Sequence, residues 1–196
     1  MLSKILSVKS KEGKTPLIIL EIKSGENRRK YTVSEGTYRE IGCPLSGDVI
    51  DSEALTSISE EDEKRRALLK ALNILAYADN NEKTLYRKLT LAGFSRDTAS
   101  ETVRECVSLG YIDESRQIER LILKHYAEYM GPYKILAKLA ARSYKASECS
   151  NIMRKLEQTG EIDFDANKKR LLSAKLTQNA DFAEKKKILY KYGYIK

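Results

Sequence analysis

The sequence predicts a mainly α-helical, elongated protein of tandem three-helix repeats, preceded by a small β-rich lobe. The first observation behind this prediction is a self-similarity with a period of fifty residues, which needs no gap. The positions of the first copy that match a position fifty residues later are Leu85, Lys88, Leu89, Phe94, Val103, Arg104, Gly110, Ile112 and Asp113. A third, shorter copy matches at Leu189, Gly193 and Tyr194. Self-similarity at a fixed period is typical of stacked supersecondary units, each too small to bury its apolar face alone.

The second observation is a change in hydrophobic pattern, from strand-like segments near the N-terminus to helical spacing in the rest of the chain. Together the two observations predict a β-rich lobe at 1–58, a first three-helix repeat at 59–112, a second at 113–162 and a partial, strongly basic third at 163–196. The third repeat is expected to lack its last helix.

Residues 1–33 are predicted to form strands, because apolar, β-branched segments at 5–8, 17–22 and 31–33 are separated by turn residues. The turn between the last two segments is expected at 24–27 (Ser-Gly-Glu-Asn). The following segment, up to residue 58, is predicted as loop and short helix folded onto the strands. Three strands alone are marginally stable, so this lobe is expected to need support from a neighbouring element.

The helical region is predicted to begin at Ser59, whose hydroxyl would accept a hydrogen bond from an amide two or three residues later. The acidic run 60–63 would then place negative charge at the positive end of the helix dipole, which is a better explanation of these carboxylates than acid–base catalysis. Apolar residues recur at helical spacing from Leu68, and Asp-Asn-Asn at 79–81 is expected to end this helix.

Two more helices complete the first repeat. One is predicted at 82–92 and is ended by Gly93, which can adopt the left-handed conformation. The next is predicted at 96–109, with Ser95 as its cap. Asp113 is expected to cap the first helix of the second repeat, since an aspartate recurs fifty residues later.

The second and third repeats follow the same plan. Pro132 fits the first turn of a helix, where its missing amide hydrogen is tolerated. His125 stands where the first repeat has Leu75, which favours a partly buried helical position over a catalytic one. Helices of the third repeat are predicted at 165–178 and 182–192.

The net charge is concentrated at the C-terminal end of the sequence. Residues 167–196 contain nine Lys or Arg and two Asp or Glu, giving +7 of the total of +8. A block this basic attracts a polyanion through counterion release, so nucleic acid or an acidic protein surface is the expected partner. The alternative is a solvated helical face whose charge only keeps the protein in solution.

The sequence shows no recognisable catalytic, cofactor or metal motif, so the protein is predicted not to be an enzyme. It has a single histidine and no phosphate-binding glycine loop, dinucleotide fingerprint or zincin motif. Cys43, Cys106 and Cys149 lack zinc-ligand spacing, and Cys149 is expected to be a small core residue. No membrane span or signal peptide is apparent, and a cytoplasmic monomer is expected.

Several of these segments resemble a known family. The run 110–114 (Gly-Tyr-Ile-Asp-Glu), followed by Gly131, Ile135 and Leu139, is similar to the second-repeat signature of RecX, the regulatory protein of the bacterial recombinase RecA. Further resemblances are carried by Leu85, Leu89, Gly93, Phe94 and the turn 109–110, by 31–34 with Leu45, Gly47, Asp48, Leu55 and Ile58, and by Lys187, Leu189, Gly193 and Tyr194. Glu119 and Ser143 depart from the family pattern, which usually has alanine and glycine there.

The resemblance implies a modular helical protein that binds the RecA–DNA filament and restrains its ATP hydrolysis and strand exchange, with DNA contact in some members. The residues predicted to contact the filament are Arg87, Lys88, Lys138, Arg142, Lys168, Lys169, Arg170, Lys185, Lys186 and Lys187. Lys88 and Lys138 share a repeat position, so they are expected to project from the same side of successive units.

Two other functions fit the same residues. A helix-turn-helix protein that binds DNA directly would use helices 82–92 and 96–109. However, the first turn of the second helix offers only Arg96 beside acidic residues, which is a poor set for reading base edges. A helical scaffold for some other acidic partner is the third possibility.

Overall fold

The computed structural model describes residues 2–13, 15–176 and 181–196, and it is mainly helical with a small antiparallel sheet near the N-terminus. This coarse architecture is the predicted one. The strands are β1 (Ser3–Lys11), β2 (Leu17–Ser24), β3 (Asn27–Ser34) and β4 (Val49–Ile50). The helices are α1 (Glu35–Glu40), α2 (Ser52–Tyr77), α3 (Glu82–Leu91), α4 (Arg96–Ser108), α5 (Glu114–Ala127), α6 (Pro132–Ala141), α7 (Ala146–Gln158), α8 (Phe164–Lys175) and α9 (Phe182–Tyr192).

The chain divides into two compact units. The first comprises the described residues of Met1–Ile74 together with Lys88–Cys106, and the second comprises Leu75–Arg87 together with Val107–Lys196. No helix in the described part of the chain is both long and apolar enough to cross a membrane.

The sheet of the first unit has the strand order β3-β2-β1-β4, with neighbouring strands antiparallel. Ile18, Leu20 and Ile22 alternate along β2 and are buried on one face of the sheet, as period-two patterning requires. Ile58 of α2 belongs to the same core. The strand β4 was not predicted, since 34–58 was assigned to loop and short helix, and it pairs with the start of β1.

The predicted start of the first long helix at Ser59 is wrong. The helix α2 begins at Ser52, and the Asp51 carboxylate caps it by accepting a hydrogen bond from the Ala54 amide at 2.8 Å. Ile58 is fully buried in the sheet core, so packing against the strands favours a helix through this segment. The acidic run 60–63 therefore lies inside α2 and not in its first turn.

Two carboxylates of that run cap the exposed edge of the sheet. The strand β3 is an edge strand, and without these carboxylates its outward amides could pair with a strand of another chain. The Thr32 amide donates to Asp62 Oδ1 at 2.9 Å, and the Ser34 amide donates to Glu61 Oε1 at 2.7 Å. Asp62 is 3% exposed and also accepts a hydrogen bond from Arg66 Nε at 2.8 Å. The helix thus supplies the support that the strands were expected to need.

Most predicted helix boundaries in the rest of the chain follow local capping chemistry. The helix predicted at 165–178 is the exception, because α8 ends at Lys175, and residues 177–178 lie outside the described residues. The hydroxyl of Ser95 accepts a hydrogen bond from the Thr98 amide, and the carboxylate of Asp113 accepts one from the Arg116 amide, so both predicted caps are confirmed. Gly93 has φ +91°, which confirms the left-handed residue predicted after α3. The helices α3, α6 and α9 begin at residues 82, 132 and 182.

In the second unit, α5, α6 and α7 pack on one another around a continuous apolar core. The largest side chains of this core include Ile118, Ile122, Ile135 and Leu139. Cys149 is buried among them, as predicted. His125 is buried on α5, and its Nδ1 lies 3.1 Å from Glu128 Oε2, which agrees with the predicted helical, structural position.

Candidate functional site

Six of the ten predicted contact residues lie on α8 and α9, which pack against each other in the second unit. Lys169 and Arg170 are exposed on α8, whereas Lys168 is only partly exposed. Lys185, Lys186 and Lys187 are all exposed on α9, in a run of three lysines. Among the side chains that the structure describes, none of these six cations lies within 4.0 Å of a carboxylate oxygen. Their charge is therefore not neutralised by described carboxylates at that range.

The orientation of α9 follows from its cap and its apolar face. The Asp181 carboxylate accepts a hydrogen bond from the Glu184 amide at 2.7 Å and so begins the helix. Ile188 and Leu189 are partly buried, whereas Tyr190 is 68% exposed. Residues three and four apart share a helix face, so Tyr190 lies on the same outward face as the lysines one turn before it.

The end of α9 is held against the start of α6 by a close backbone contact. The Gly131 amide donates to the Tyr192 carbonyl at 2.8 Å, and the Tyr133 amide donates to the Gly193 carbonyl at 3.2 Å. A Cβ atom on Gly131 would lie 2.4 Å from the Gly193 carbonyl oxygen, so only glycine allows this approach. Gly193 itself has φ +80°.

Two lysines lie over tyrosine rings near this backbone contact. Lys134 Nζ donates to the Lys191 carbonyl at 2.8 Å and lies 5.7 Å from the centroid of the Tyr192 ring. Lys196 Nζ lies 5.1 Å from the centroid of the Tyr133 ring.

Two other predicted contact residues, Arg87 and Arg142, line one cleft of about 300 Å³ in the second unit. Its walls also include Asn81 and Tyr144. The Asn81 side-chain amide donates to the Arg142 carbonyl at 2.7 Å, which joins the start of α3 to the turn after α6. The structure therefore brings this pair of arginines together although they are 55 positions apart.

The remaining two predicted contacts, Lys88 and Lys138, are exposed on α3 and α6. They belong to different compact units, so their predicted projection from one side stays a prediction. Lys138 is close enough to Glu128 to help lower the pKa of that carboxyl, although the hydrogen bond from His125 is the larger cause.

A carboxylate lies at the start of α3. Glu114 Oε1 accepts a hydrogen bond from the Glu82 amide at 2.9 Å. Burial raises the pKa of Glu114 above its ordinary value, and this effect outweighs the lowering by the Glu82 amide. Glu114 thereby joins the start of α5 to the start of α3 in the second unit.

The candidate site is a set of basic side chains, most of them exposed. Within residues 2–13, 15–176 and 181–196, no group of three or more His, Cys, Asp or Glu side chains is arranged to hold a metal ion. What the surfaces can do chemically is attract phosphates or carboxylates and stack flat groups on tyrosine rings.

No family model and no curated protein matches this sequence. The structure does resemble a solved one. The crystal structure of regulatory protein RecX aligns with a TM-score of 0.69 at 15% sequence identity, and the alignment covers 98% of this chain and 95% of that one. The protein has the RecX fold. The crystal structure of RecX from Lactobacillus salivarius aligns less well, with a TM-score of 0.46 and 15% identity over 68% of this chain and 99% of that one.

Within the RecX fold, α4 is poorly suited to read DNA bases as a recognition helix. Thr98 and Ala99 in its first turns are buried, and Arg96 beside Asp97 is the only basic residue exposed there. A recognition helix needs several exposed donors at its start, so the geometry does not favour the helix-turn-helix alternative.

The predicted contact residues did not include the tyrosines that lie close to lysines at the start of α6 and at the end of α9. The run 187–196 reads Lys-Ile-Leu-Tyr-Lys-Tyr-Gly-Tyr-Ile-Lys, and its alternation of lysine and tyrosine was an available signal. The contribution of Tyr133 and Lys134 had no such signal, because it depends on the approach of α6 to Gly193.

Proposed function

We propose that the protein is a member of the RecX family that regulates the RecA recombinase without catalysing a reaction. In this proposal it binds along the RecA–DNA filament and restrains ATP hydrolysis and strand exchange. The observation that carries the proposal is the agreement of nearly the whole chain with the structure of regulatory protein RecX. The resemblance of the run 110–114 and of the residues after it to the family signature points the same way.

The spacing of the helices supports a tandem array with a period of fifty residues. The starts of α3, α6 and α9 are fifty residues apart, and the same interval separates α4 from α7 and α5 from α8. In this proposal the units are 59–112, 113–162 and 163–196, and the last of them contains α8 and α9. Repeated units present similar surfaces at regular intervals. Such a chain suits a partner that is itself a regular assembly of identical subunits.

The charge distribution supports a polyanionic partner. Lys185, Lys186 and Lys187 are exposed, and no described carboxylate pairs with them. Cations of this kind gain from replacing counterions on phosphates or on an acidic surface. The proposed mechanism is mechanical: the bound protein bridges neighbouring RecA subunits and blocks their movement, and no bond is made or broken.

The test is RecA ATP hydrolysis on single-stranded DNA, with the protein added to filaments that have already assembled. The wild-type protein should lower the rate as it is titrated in. A triple substitution of Lys185, Lys186 and Lys187 by Glu should raise the half-inhibitory concentration by about tenfold or more, because several ionic contacts become repulsive.

The matched control reverses the same number of charges on the first unit. Lys9, Lys11 and Lys70 are exposed there, and their substitution by Glu should leave inhibition within about twofold of wild type, since in this proposal they make no ionic contact with the filament. Equal inhibition by both triple variants would exclude 185–187 as the contact. No effect of the wild-type protein at any concentration would refute the proposed function.

A further inference from the structure

The helix pair α8–α9 packs in the same register as the pair α5–α6. In the earlier pair, the Tyr144 hydroxyl donates to Gln117 Oε1 at 2.8 Å and so joins the end of α6 to α5. Fifty residues later the corresponding residues are Tyr194 and Asn167. Burial raises the pKa of Tyr194 to about 12, and the Asn167 side chain is close enough to its hydroxyl to act against this rise. Residues of α8 and α9 can therefore be compared with those fifty positions earlier.

Two lysines of the later pair stand where α5 and α6 have buried isoleucines. Lys168 corresponds to Ile118 and Lys185 to Ile135, and both isoleucines are fully buried in the core to which α7 contributes. Lys168 is partly exposed, Lys185 is exposed, and neither has a described carboxylate oxygen within 4.0 Å. A helix that covered them would bury two positive charges, which is costly unless the helix also brings carboxylates.

Two leucines lie one turn after these lysines. Leu172 corresponds to Ile122 and Leu189 to Leu139; the two earlier residues are at most 1% exposed, whereas Leu172 and Leu189 are both partly exposed. Residues four apart share a helix face, so each leucine lies on the same face as the lysine before it. Among the described helices, none packs on both α8 and α9 as α7 packs on both α5 and α6. We call the two lysines and the two leucines the α8–α9 face.

The helix α7 shows what kind of element fits such a face. It has 13 residues and buries Cys149, Met153 and Leu156 in the core that it shares with α5 and α6. The helix α4 buries residues at the same spacing fifty positions earlier. This spacing is one face of an amphipathic helix, which is also the form in which a partner protein binds a groove between two helices.

We propose that the α8–α9 face binds one acidic, amphipathic helix of a partner protein, which lies across α8 and α9 as α7 lies across α5 and α6. Its carboxylates pair with Lys168 and Lys185, and its apolar side chains contact Leu172 and Leu189. The inference rests on the fifty-residue correspondence that the proposed function also uses, but it does not require that the partner is RecA. Helix binding can therefore fail while inhibition of RecA persists.

The experiment measures the anisotropy of fluorescent peptides with the full chain and no RecA. The first peptide has 13 residues, like α7, with leucines at the spacing of Cys149, Met153 and Leu156 and with glutamates beside them. The second peptide has lysines in place of the glutamates, and the third keeps the glutamates but has serines in place of the leucines. The wild-type protein should bind the first peptide at least about tenfold more tightly than either of the others.

A double charge reversal tests the two lysines of the face. Lys168→Glu combined with Lys185→Glu should weaken binding of the glutamate peptide about tenfold or more and strengthen binding of the lysine peptide, because the attractive and repulsive pairs are exchanged. The matched control combines Lys169→Glu with Lys191→Glu. These lysines are exposed on the same two helices and correspond to exposed residues of α5 and α6, so the control should weaken binding less than about threefold.

No binding of the glutamate peptide, or equal affinity for the glutamate and lysine peptides, would overturn the inference. Equal weakening by the two double variants, with circular dichroism showing both folded, would overturn it as well, since only diffuse charge would then be involved. Undiminished binding of the serine peptide would do the same, because the leucines would make no contact. Sedimentation of the full chain alone should show a monomer, and a dimer that the Lys168→Glu, Lys185→Glu variant dissociates would assign the face to a second copy instead.

Discussion

The buried carboxylate of Asp62 offers the sharpest test of how α2 supports the sheet. Substitution by alanine removes the acceptor of the Thr32 amide and the partner of Arg66, both within 2.9 Å. The helix itself should tolerate the change, because alanine is the best helix former. Any loss of stability therefore reports the contacts of the carboxylate and not a loss of helical propensity.

The magnitude follows from the contacts. An edge-strand amide left without its acceptor costs about 1–3 kcal/mol. The arginine side chains near Asp62 are about half exposed, so they regain water and add only about 0–1 kcal/mol. We expect Asp62→Ala to lower the free energy of unfolding of the first unit by about 2–3 kcal/mol. Asp62→Asn should cost less, because its amide oxygen still accepts from Thr32.

The assay is urea unfolding together with hydrogen exchange of the Thr32 amide. Exchange reports the first unit directly, which matters because a chain of two units need not unfold in one step. The control is Glu60→Ala, at an exposed position of the same helix, and it should change stability by less than about 0.5 kcal/mol. Equal effects of the two alanine substitutions, or unchanged exchange at Thr32, would refute the capping role of Asp62.

Three further predictions concern the second unit. Leu139→Asp buries an unpaired carboxylate in the core, where the leucine is 1% exposed, and should cost about 3–5 kcal/mol; an unchanged melting temperature would contradict the packing described. Gly131→Ala places a Cβ 2.4 Å from the Gly193 carbonyl oxygen, so limited proteolysis should cut α9 faster while α5–α7 stay protected; an unaltered cleavage pattern would argue against the contact. Burial raises the pKa of Glu114 above its ordinary 4.5, so the folded state holds this proton more tightly and the stability contributed by Glu114 falls as pH rises above about 4.5. Glu114→Gln keeps an acceptor for the Glu82 amide and should remove the contribution of Glu114 to the pH dependence of the urea midpoint. If the urea midpoints of the wild type and the variant changed with pH in parallel, the Glu114 carboxyl would have no such effect.

The features that the sequence predicted correctly are those decided by neighbouring residues. Ser95 and Asp113 cap helices because a short polar side chain before a helical pattern bonds to amides two or three residues later. The start of α2 could not be found in this way. A serine followed by four acids is a typical helix start, but Ile58 lies in the sheet core, and that long-range packing favours a helix that begins seven residues earlier, at Ser52.

The candidate site likewise has a part that the sequence predicts and a part that depends on long-range packing. The cationic character of α8 and α9 could be predicted from composition alone, because residues 167–196 contain nine basic residues and only two acidic ones. The convergence of Arg87 and Arg142 on one cleft was not visible, since it depends on how the turns at 79–81 and 142–144 meet. The place of Tyr133 beside the end of α9 was hidden for the same reason.

Regulation of RecA by this protein is tested most directly by RecA-catalysed strand exchange between circular single-stranded DNA and a homologous duplex. The protein is added only after the RecA filament has covered the DNA, so competition for bare DNA does not contribute. We expect product formation and ATP hydrolysis to slow progressively as the protein is added. Product formation at the unchanged rate in the presence of excess protein would contradict this expectation.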